Sequence, residues 1–574
     1  MAQTTLGDAQ QKNEPNKIIA EELAKKQREI GVAEFFAKNR HLLGFDNKRK
    51  ALLTTIKEAV DNALDACEEA EILPEVQVEI IEIGEEKFRI IIEDNGPGIV
   101  KKQIPKIFAK LLYGSKFHQR KQNRGQQGIG ISAAVMYAQL TTGKPAKILS
   151  KIAKDRPATY MELMLDTKTN SPLIKAEQEK DWPEKEHGTR IEMDIEGSYQ
   201  KGDQSVDQYL KETAIVNPHA TIIYTNPKAE QLIFPRATEI KPRKAEEIKL
   251  HPYGVELGIL LDMLHATECR TLQSFFTTEF SRVGPGTAKE ICANAALLTN
   301  MKPSDVSREN AEKLIEGIKK TKIISPPTDC IVPIGEELLE KGLKKEVNAE
   351  FYCACSRPPN VYRGNPFVVE CGLAYGGEQP AEEPMTVLRF ANKVPLLFQQ
   401  GACAVTKSLI GTNWRSYGLS QSTGALPIGP ITLVIHIASV WVPFTSESKE
   451  AIAHYPEIIK EVKLAVQECG RKLGSYIYKK KRIGDEMKKR GYIEKYIPHI
   501  AEALKDLVDS KEYQKENVET SLKEILERKR GELEDIEAEN EEFDEEFAKI
   551  GKKEKKKKEG EEGAEEVSTD DETD

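Results

Sequence analysis

The sequence predicts an α+β protein in which a first mixed domain is followed by a helical domain and by a second mixed domain. Three observations lead to this fold class. An amphipathic helix around Glu58 precedes two strand-like segments, a glycine-rich loop opens a further helix, and the pattern turns helical after residue 250 before returning to strands near residue 327. A length of 574 residues suits about three or four domains.

Composition narrows the functional class. No apolar run approaches the roughly 20 residues of a membrane-spanning helix, and the N-terminus is polar without a signal peptide, so we expect a cytoplasmic protein without membrane contact. The net charge is −9, but residues 531–574 carry 20 acidic side chains and 7 lysines, so the rest of the chain sums to +4. An acidic tail on a mildly basic body does not exclude nucleic acid as a partner.

The nine cysteines are scattered along the chain and do not form a disulfide framework. Cys353 and Cys355 form a C-x-C pair, but C-x-x-C pairs and nearby histidines are absent from the sequence around them. Reduced structural thiols are therefore favoured over a metal site.

The helix around Glu58 carries polar groups on one face. Apolar residues recur at near-helical spacing from Leu52 to Leu64. Glu58 and Asn62 are four residues apart and Asp65 follows three residues later, so the three side chains share a face. This face offers a carboxylate and an amide to a ligand.

Two predicted strands, 76–83 and 87–93, lead into the loop D94-N-G-P-G98, and the segment R124-G-Q-Q-G-I-G-I-S132 then opens a helix over 131–140. The N-terminus of that helix could hold phosphate. Together with the polar helix face, these loops predict a nucleotide site. It is not a P-loop, because G-x-x-x-x-G-K-[ST] does not occur, and the glycine spacing is the reverse of a dinucleotide fingerprint.

Further strands are predicted at 146–152, 159–165 and 189–195. Together with the first two strands, they are expected to complete an antiparallel sheet. A layer of helices on one face of that sheet would make the first domain an α+β sandwich.

The order E-x-x-x-N, D-x-G-x-G and G-x-x-G-x-G resembles the Bergerat fold of the GHKL ATPases, which include gyrase B subunits, MutL proteins, histidine kinases and a heat-shock chaperone. Thr189 in H187-G-T-R190 matches a fourth element of that superfamily. The resemblance implies an α/β sandwich ATPase domain over residues 31–249, preceded by a flexible arm at 1–30. It also implies ATP and Mg²⁺ as cofactors.

The resemblance assigns roles to the matching residues. Glu58 would be the general base, Asn62 would give an oxygen to Mg²⁺, and Asp94 would accept a hydrogen bond from adenine with support from Thr189. Gly98 would let the backbone approach the base without a Cβ clash. The segment 101–124 matches a lid over the phosphates in that superfamily. This lid and the glycine-rich loop would supply the phosphate contacts: Ser115, Lys116, Gly125, Gln126, Gln127, Gly128, Ile129, Gly130, Ile131 and Ser132.

Residues 250–327 form the predicted helical domain. A capping box from Thr287 to Glu290 predicts the start of one helix, and apolar residues from Ala311 to Ile318 give a second helix one buried face. The segment 274–291 resembles the helix-two-turns-helix insert of one GHKL branch, the B subunit of topoisomerase VI (type IIB). A direct role in DNA binding and a purely structural packing role both remain open for this domain.

Residues 328–510 form the predicted transducer domain. Strands are predicted at 365–371, 387–391 and 431–441, and a helical run from about Ser448 leads into a long C-terminal helix. The resemblance implies an α/β transducer, in which a lysine reaches back to the terminal phosphate of ATP. Lys449 is the matching residue and is expected in a first helical turn, so Glu58 and Lys449 are the two catalytic candidates.

Trp414, Arg415 and Tyr417 resemble the W-K-x-Y element of the family's transducer, implicated in sensing DNA, with Arg415 replacing the lysine. A cation with aromatic rings suits phosphate contact and base stacking. Packing of Trp414 in a core is the alternative. Residues 511–574 are predicted to be a charged helical segment that ends in a disordered acidic tail.

The resemblance spans about residues 30–510 and implies the ATP-binding and ATP-hydrolysing B subunit of a type IIB DNA topoisomerase, a largely archaeal family. ATP would dimerise two chains into a clamp over double-stranded DNA and gate double-strand passage, relaxing supercoils and decatenating DNA. The break would be made by a partner A subunit in an A₂B₂ heterotetramer, because no tyrosine here is marked out as a nucleophile. A MutL-like or chaperone-like clamp is the alternative, although neither would carry the helical insert.

Overall fold

A computed structural model describes residues 23, 24, 27, 30–116, 119–125, 128–446, 448–508 and 514–530. Gln126 and Gln127, most of the predicted N-terminal arm and the acidic tail from residue 531 lie outside the described residues. The chain divides into two compact units, Met1–Leu473 and Gly474–Asp574. Among the helices described, none is long and apolar enough to cross a membrane.

The first sheet has eight strands in the order β5-β4-β3-β6-β2-β1-β7-β8. The strands are β1 Glu75–Gly84, β2 Lys87–Asp94, β3 Ala146–Lys151, β4 Ala158–Asp166, β5 Ser171–Lys180, β6 Gly188–Glu196, β7 Thr221–Thr225 and β8 Gln231–Phe234. β1 and β7 are parallel, whereas the other neighbouring pairs are antiparallel. The predicted antiparallel sheet is confirmed for the five predicted strands, which correspond to β1, β2, β3, β4 and β6. The parallel neighbour β7 was not predicted from the sequence.

Among the described residues, the α-helices that accompany this sheet are α1 Val32–Lys38, α2 Lys48–Glu69, α3 Ile104–Phe108, α4 Gly130–Thr142 and α5 Val206–Val216. α2 begins after Asn47, whose side chain accepts a hydrogen bond of 2.8 Å from the backbone N–H of Lys50. The apolar face predicted from Leu52 to Leu64 is buried, and it shares one core with the buried side of the sheet. The opposite, polar face is thereby left to line a site.

The helical segment has its own core, built around Phe275, Phe276 and Leu314. Its helices are α6 Leu257–Ala266, α7 Leu272–Glu279, α8 Pro285–Asn294 and α9 Arg308–Lys320. The predicted capping box at Thr287 was wrong, because α8 already begins at Pro285, whose fixed φ and missing N–H suit a first helical position. A capping box occurs instead at α7, between Thr271 and Ser274.

The second sheet has the order β10-β11-β16-β12-β13, with β9 also paired to β11. Its strands are β9 Phe351–Ser356, β10 Asn360–Tyr362, β11 Asn365–Tyr375, β12 Thr386–Ala391, β13 Val394–Pro395 and β16 Ile431–Ser439, and a separate small pair is β14 Ser420–Gln421 with β15 Pro427–Ile428. α10 Glu336–Glu346 precedes β9, and α11 Ala404–Ile410 lies on the crossover between the parallel strands β12 and β16. β16 is buried along its whole length, so this sheet is covered on both faces.

The last two helices are α12 Pro456–Leu507 and α13 Lys515–Arg530. The predicted helix start near Ser448 was wrong. Lys449 has a φ of 53°, which no right-handed helix permits, and Phe444 and Ile452 form an isolated β-bridge around it. The helix starts only at Pro456. The predicted fold class is confirmed, while the limits of the individual domains stay a prediction.

Candidate nucleotide site

A cavity of about 610 Å³ lies against the polar face of α2. This volume is in the range of small-molecule and cofactor pockets. Its lining comes from α2, from the loop after β2, from the lid before α4, from the start of α4 and from β6. Two later segments also contribute, 395–398 from the last residue of β13 onward and 448–450 before α12.

Asp94 marks one end of the cavity. Its Oδ1 accepts hydrogen bonds from the backbone N–H groups of Gly96, at 2.8 Å, and Thr189, at 3.2 Å. Burial raises the pKa of Asp94 to about 6, against the effect of these two donors. His187 fixes the loop further, with its Nδ1 2.8 Å from the carbonyl oxygen of Gly96. The carboxylate is therefore held in one orientation at the cavity wall.

Gly98 is required for a reason in addition to the predicted one. Its φ is +72°, in the left-handed region that favours glycine, and a Cβ there would overlap the carbonyl group of Lys151. The close approach that needs glycine is therefore between two backbone segments of the protein. Gly98 still lines the cavity.

Glu58 and Asn62 face the glycine-rich loop. A Cβ on Gly130 would overlap the carboxylate of Glu58, and a Cβ on Gly125 would lie 3.8 Å from Oδ1 of Asn62. Gly128 has a φ of +60°, so the loop turns through a left-handed residue as it enters α4. All but one of the predicted loop residues that the structure describes line the cavity. These lining residues are Gly125, Gly128, Ile129, Gly130 and Ile131.

Ser132 is that exception. It is buried, and its hydroxyl donates to the carbonyl oxygens of Ile107, at 2.8 Å, and Lys110, at 2.9 Å. A side chain one residue further into α4 faces the lid stem instead of the cavity. The Ser132 hydroxyl is therefore turned away from the cavity, while the phosphate contact predicted for this residue stays a prediction.

The lid is anchored to α2. Ser115 and Lys116 line the cavity as predicted, and Nζ of Lys116 lies 2.5 Å from Oδ2 of Asp65. The hydroxyl of Tyr113 donates to Oε1 of Gln103 at 2.6 Å. The lid lysine is thus paired with the third polar residue of the α2 face.

Arg124 fixes the stem of the glycine-rich loop, residues 121–124. Its guanidinium is buried and donates to Asp65 at 2.7 Å and to both carboxylate oxygens of Glu68 at 2.6 and 3.0 Å. Burial would raise the pKa of Glu68, but Arg124 and Lys393 hold it well below its usual range. His219 adds a contact of 2.9 Å to the same carboxylate.

Lys449 reaches this stem from the far end of the chain. Its Nζ donates to the carbonyl oxygen of Arg124 at 3.1 Å, and the side chain lines the cavity. Burial lowers the pKa of Lys449, an effect that Glu58 opposes. The next residue, Glu450, forms an ion pair with Lys50 of α2 and a hydrogen bond with Gln399. The lysine is thereby placed beside the glycine-rich loop by its neighbour.

Two family models match the chain. Residues 47–194 match the histidine kinase-, DNA gyrase B- and HSP90-like ATPase, and residues 326–489 match the transducer of the topoisomerase VI B subunit. The B subunit of type 2 DNA topoisomerase 6 from Methanococcoides burtonii is 53% identical over 86% of this chain and 79% of that protein. The chain belongs to the topoisomerase VI B-subunit family. This confirms the predicted family and decides against the MutL-like and chaperone-like alternatives.

Other relatives with the same name agree. The protein from Methanosarcina acetivorans is 54% identical over 86% of this chain and 79% of its own length. The one from Archaeoglobus fulgidus is 48% identical over 84% of this chain and 80% of its own length. The matched region therefore covers the ATPase and transducer segments together.

Several cavity residues were missed by the sequence analysis. Lys50, Thr54 and Lys57 of α2 line the cavity. Continuing the face of Glu58 by four and eight residues toward the start of the helix would have found Thr54 and Lys50. Tyr209 and the segment 395–398 have no such local signal. They join the site only through the packing of α5 and of the second sheet.

The predicted DNA-sensing residues have three different environments. Trp414 is fully buried, and its indole N–H donates to the carbonyl oxygen of Leu409 at 2.9 Å, so base stacking by this ring was a wrong prediction and the packing alternative holds. Arg415 is exposed and donates to the carbonyl oxygen of Gln421. Tyr417 packs edge-on against Trp414, with 6.1 Å between ring centroids.

The pair Cys353 and Cys355 lies in a buried group of thiols. Cys469 of α12 is 3.5 Å from the sulfur of Cys355, and Cys371 is directly opposite Cys355 on the neighbouring strand. In the described part of the chain, no group of three or more His, Cys, Asp or Glu residues has a geometry that could hold a metal ion. These thiols pack α12 onto the second sheet.

Proposed function

We propose that this chain is the ATP-binding and ATP-hydrolysing B subunit of a type IIB DNA topoisomerase. One observation carries the proposal: a lysine of the transducer segment, Lys449, lies in the same cavity as Glu58 and the glycine-rich loop of the ATPase segment. The similarity to topoisomerase 6 B subunits over most of the chain supports the same function. Archaeal relatives suggest that it acts in the cytoplasm, beside the DNA.

Asp94 and Thr189 would select adenine. An ionised carboxylate accepts a hydrogen bond from the exocyclic amine of adenine, whereas guanine presents a carbonyl oxygen there and would be repelled. The two backbone N–H donors that hold Oδ1 of Asp94 keep the carboxylate in place for this contact. Adenine specificity thus arises from an acceptor that is fixed before the nucleotide binds.

Glu58 would act as the general base. Hydrolysis needs a water held in line with the γ-phosphorus and polarised by a base. The carboxylate of Glu58 packs on Gly130, at the first residue of α4, and the space of the missing Cβ is what permits this approach. The base is therefore next to the N–H groups that would bind the terminal phosphate.

The donor set at Asn62 fits Mg²⁺. Magnesium in nucleotide sites keeps several waters and binds through one or two protein oxygens together with substrate phosphates. Asn62 offers such an oxygen beside Gly125 of the glycine-rich loop. When bound, the ion would screen the charge of the triphosphate, and Ser115 and Lys116 would share that task from the lid.

ATP would act as a conformational switch. Lys449 can exchange the carbonyl oxygen of Arg124 for a γ-phosphate oxygen, so the closed arrangement gains binding energy only with ATP. Two ATP-bound chains would then dimerise over double-stranded DNA. The partner A subunit, in an A₂B₂ complex, would make the break through which a second duplex passes, and hydrolysis would reset the clamp.

The test separates binding from turnover. Glu58→Ala should lower the ATPase rate by at least roughly 100-fold, as expected for loss of a general base, while a non-hydrolysable ATP analogue still binds and still dimerises the variant in sedimentation experiments. Glu82→Ala, which removes an exposed carboxylate from β1, is the matched control and should behave like the wild type. Loss of nucleotide binding in Glu58→Ala would contradict the assignment of the base.

The topoisomerase activity is tested with both subunits. The full chain mixed with the A subunit of the same source should relax supercoiled plasmid only when ATP is present. The chain alone should leave the plasmid intact, with or without ATP. Cleavage of DNA by the chain alone would contradict the proposal that the A subunit makes the break.

A further inference from the structure

A second element of the transducer segment reaches the stem of the glycine-rich loop. Asn392 and Lys393 form the two-residue turn between β12 and β13, with φ values of 49° and 64°. Two left-handed residues in succession are typical of a type I′ hairpin turn, which fits the twist of the strands. Such a hairpin end normally faces solvent, but both residues here are only 4% exposed.

Asn392 connects the hairpin to the nucleotide-binding segment. Its amide nitrogen donates to the carbonyl oxygen of Asn123 at 3.1 Å and to that of Ser439 at 2.9 Å, and its amide oxygen accepts from the N–H of Ser439 at 2.9 Å. Asn123 is two residues before Gly125, the first glycine of the glycine-rich loop. The amide therefore joins the loop stem to the last residue of β16.

Lys393 adds an ionic contact to the same stem. Its Nζ lies 3.9 Å from Oε2 of Glu68, the carboxylate that also receives Arg124. Burial lowers the pKa of Lys393, and Glu68 opposes that effect. The small cavity beside it, of about 60 Å³, is lined by the stem residues and by Lys393 and does not include the nucleotide site.

The backbone of Lys393 continues the connection into the second sheet. Its N–H donates to Nε2 of His436 at 2.9 Å, and Nδ1 of that ring is 2.7 Å from Oε2 of Glu370. Because Nε2 accepts a hydrogen bond, a neutral ring carries its proton on Nδ1 and donates it to Glu370. Glu370 in turn accepts from the backbone N–H groups of Ile334 and Gly335, at 2.8 and 2.6 Å, directly before α10.

We propose that Asn392 and Lys393 are positioning residues that couple the stem of the glycine-rich loop to the second sheet, so that the presence of the γ-phosphate reaches the transducer by a path separate from Lys449. The inference rests on the proposed ATPase function. Neither residue lines the nucleotide cavity, so their removal should leave nucleotide binding intact and weaken only its transmission. Single substitutions in coupling networks of this kind change the linked equilibrium constant by about tenfold.

The test uses Lys393→Met in the full chain. Methionine keeps most of the volume, and Glu68 keeps Arg124 and His219 as partners, so no buried charge is stranded. The variant should bind ADP within about twofold of the wild type, yet it should need roughly tenfold more of a non-hydrolysable ATP analogue for half-maximal dimerisation. Its kcat should fall more than its KM for ATP changes, and Lys393→Arg should restore part of the dimerisation.

Lys407→Met, at an exposed position of α11, is the matched control and should dimerise as the wild type does. If Lys393→Met does not fold, Asn392→Gly tests the same path, because glycine adopts a φ of 49° without strain and lacks the amide. The proposal would be overturned if the variant reached half-maximal dimerisation at the same analogue concentration as the wild type. Equal losses of ADP binding and of dimerisation would also overturn it, since they indicate a merely structural role. Failure of the wild-type chain to bind or dimerise would instead count against the proposed function.

Discussion

Two segments of the transducer region contact successive carbonyl groups of the same loop stem, and they do so with different access to the ligand. The loop at 448–450 places Nζ of Lys449 3.1 Å from the carbonyl oxygen of Arg124, inside the nucleotide cavity. The hairpin turn at 392–393 places the amide of Asn392 3.1 Å from the carbonyl oxygen of Asn123, outside that cavity. We therefore expect these similar contacts to serve different tasks, phosphate sensing by Lys449 and positioning by Asn392.

The two lysines differ in what they can exchange. Lys449 donates to a neutral carbonyl group and lines the cavity, so a phosphate oxygen can replace its partner at a gain in charge–charge energy. Lys393 is beside the carboxylate of Glu68, which Arg124 and His219 also hold. We therefore expect the first lysine to switch partners and the second to stay in place.

The largest expected effect comes from Lys449→Ala. Loss of a cation aimed at developing phosphate charge costs on the order of 100-fold in turnover, so the steady-state ATPase rate should fall by about that factor. ADP binding should be unchanged, because ADP has no γ-phosphate, and Lys407→Ala is the exposed control. Analogue-dependent dimerisation equal to that of the wild type would show that the 448–450 loop is not the sensor.

A smaller effect is expected from the ion pair that holds this loop. The Lys50 and Glu450 side chains are 14% and 6% exposed, so their pairing is largely shielded from solvent. Lys50→Met and Glu450→Gln should each lower analogue-dependent dimerisation by roughly tenfold, and the double variant should be no worse than either, because both remove one interaction. The exposed pair Lys341 and Glu337 is the control, and its disruption should change little.

If the loss of dimerisation in the double variant equalled the sum of the losses in the two single variants, the proposed role of this ion pair would be contradicted. Additive losses would show that Lys50 and Glu450 act separately, and thus that the loop is not positioned through its pairing with α2. Melting temperatures of the three variants are needed as well, since a buried carboxylate left without its partner can destabilise the fold.

The sequence predicted the parts of the site that lie within single local elements. Glu58 and Asn62 share a helical face, and Asp94 and the glycine-rich loop are short motifs whose order resembles the GHKL ATPases, so local spacing together with that resemblance was sufficient. It did not predict Lys50, although the same helical periodicity extends to it. It could not predict the contact between Asn123 and Asn392, since these residues are 269 positions apart and meet only because the second sheet folds.

Two departures from the local sequence pattern have a common physical origin. A run such as S448-K-E-A-I-A has good helix formers, but tertiary contacts hold Lys449 at a φ of 53° and delay the helix to Pro456. Ser132 follows a phosphate-binding pattern, but the turn of α4 rotates its hydroxyl toward the lid stem. Local propensity fixes the class of element, whereas its exact ends and the direction of each side chain depend on packing.

The smallest expected effect concerns the end of the cavity at Asp94, where we expect adenine to bind. Neither Lys449 nor Lys393 contacts this end. Burial raises the pKa of Asp94 to about 6, above the ordinary value of roughly 3.9. Because the folded state holds the proton more tightly, this group favours folding most below about pH 4, and that contribution is lost as the pH rises through 6. Nucleotide binding has the opposite sign, since adenine needs the ionised carboxylate.

The dissociation constant for adenosine should therefore rise about fourfold between pH 7.5 and pH 5.5, where roughly three quarters of Asp94 is protonated. Adenosine is the suitable ligand because it has no phosphate that titrates in this range. Lys449→Ala and Lys393→Met should show the same pH curve as the wild type, since both substitutions lie away from Asp94. A dissociation constant that stays flat to pH 5.5 would show that adenine is not held by the Asp94 carboxylate. If either lysine variant changed the pH dependence of the dissociation constant, Asp94 would be energetically coupled to Lys449 or Lys393, which lie apart from it in the structure.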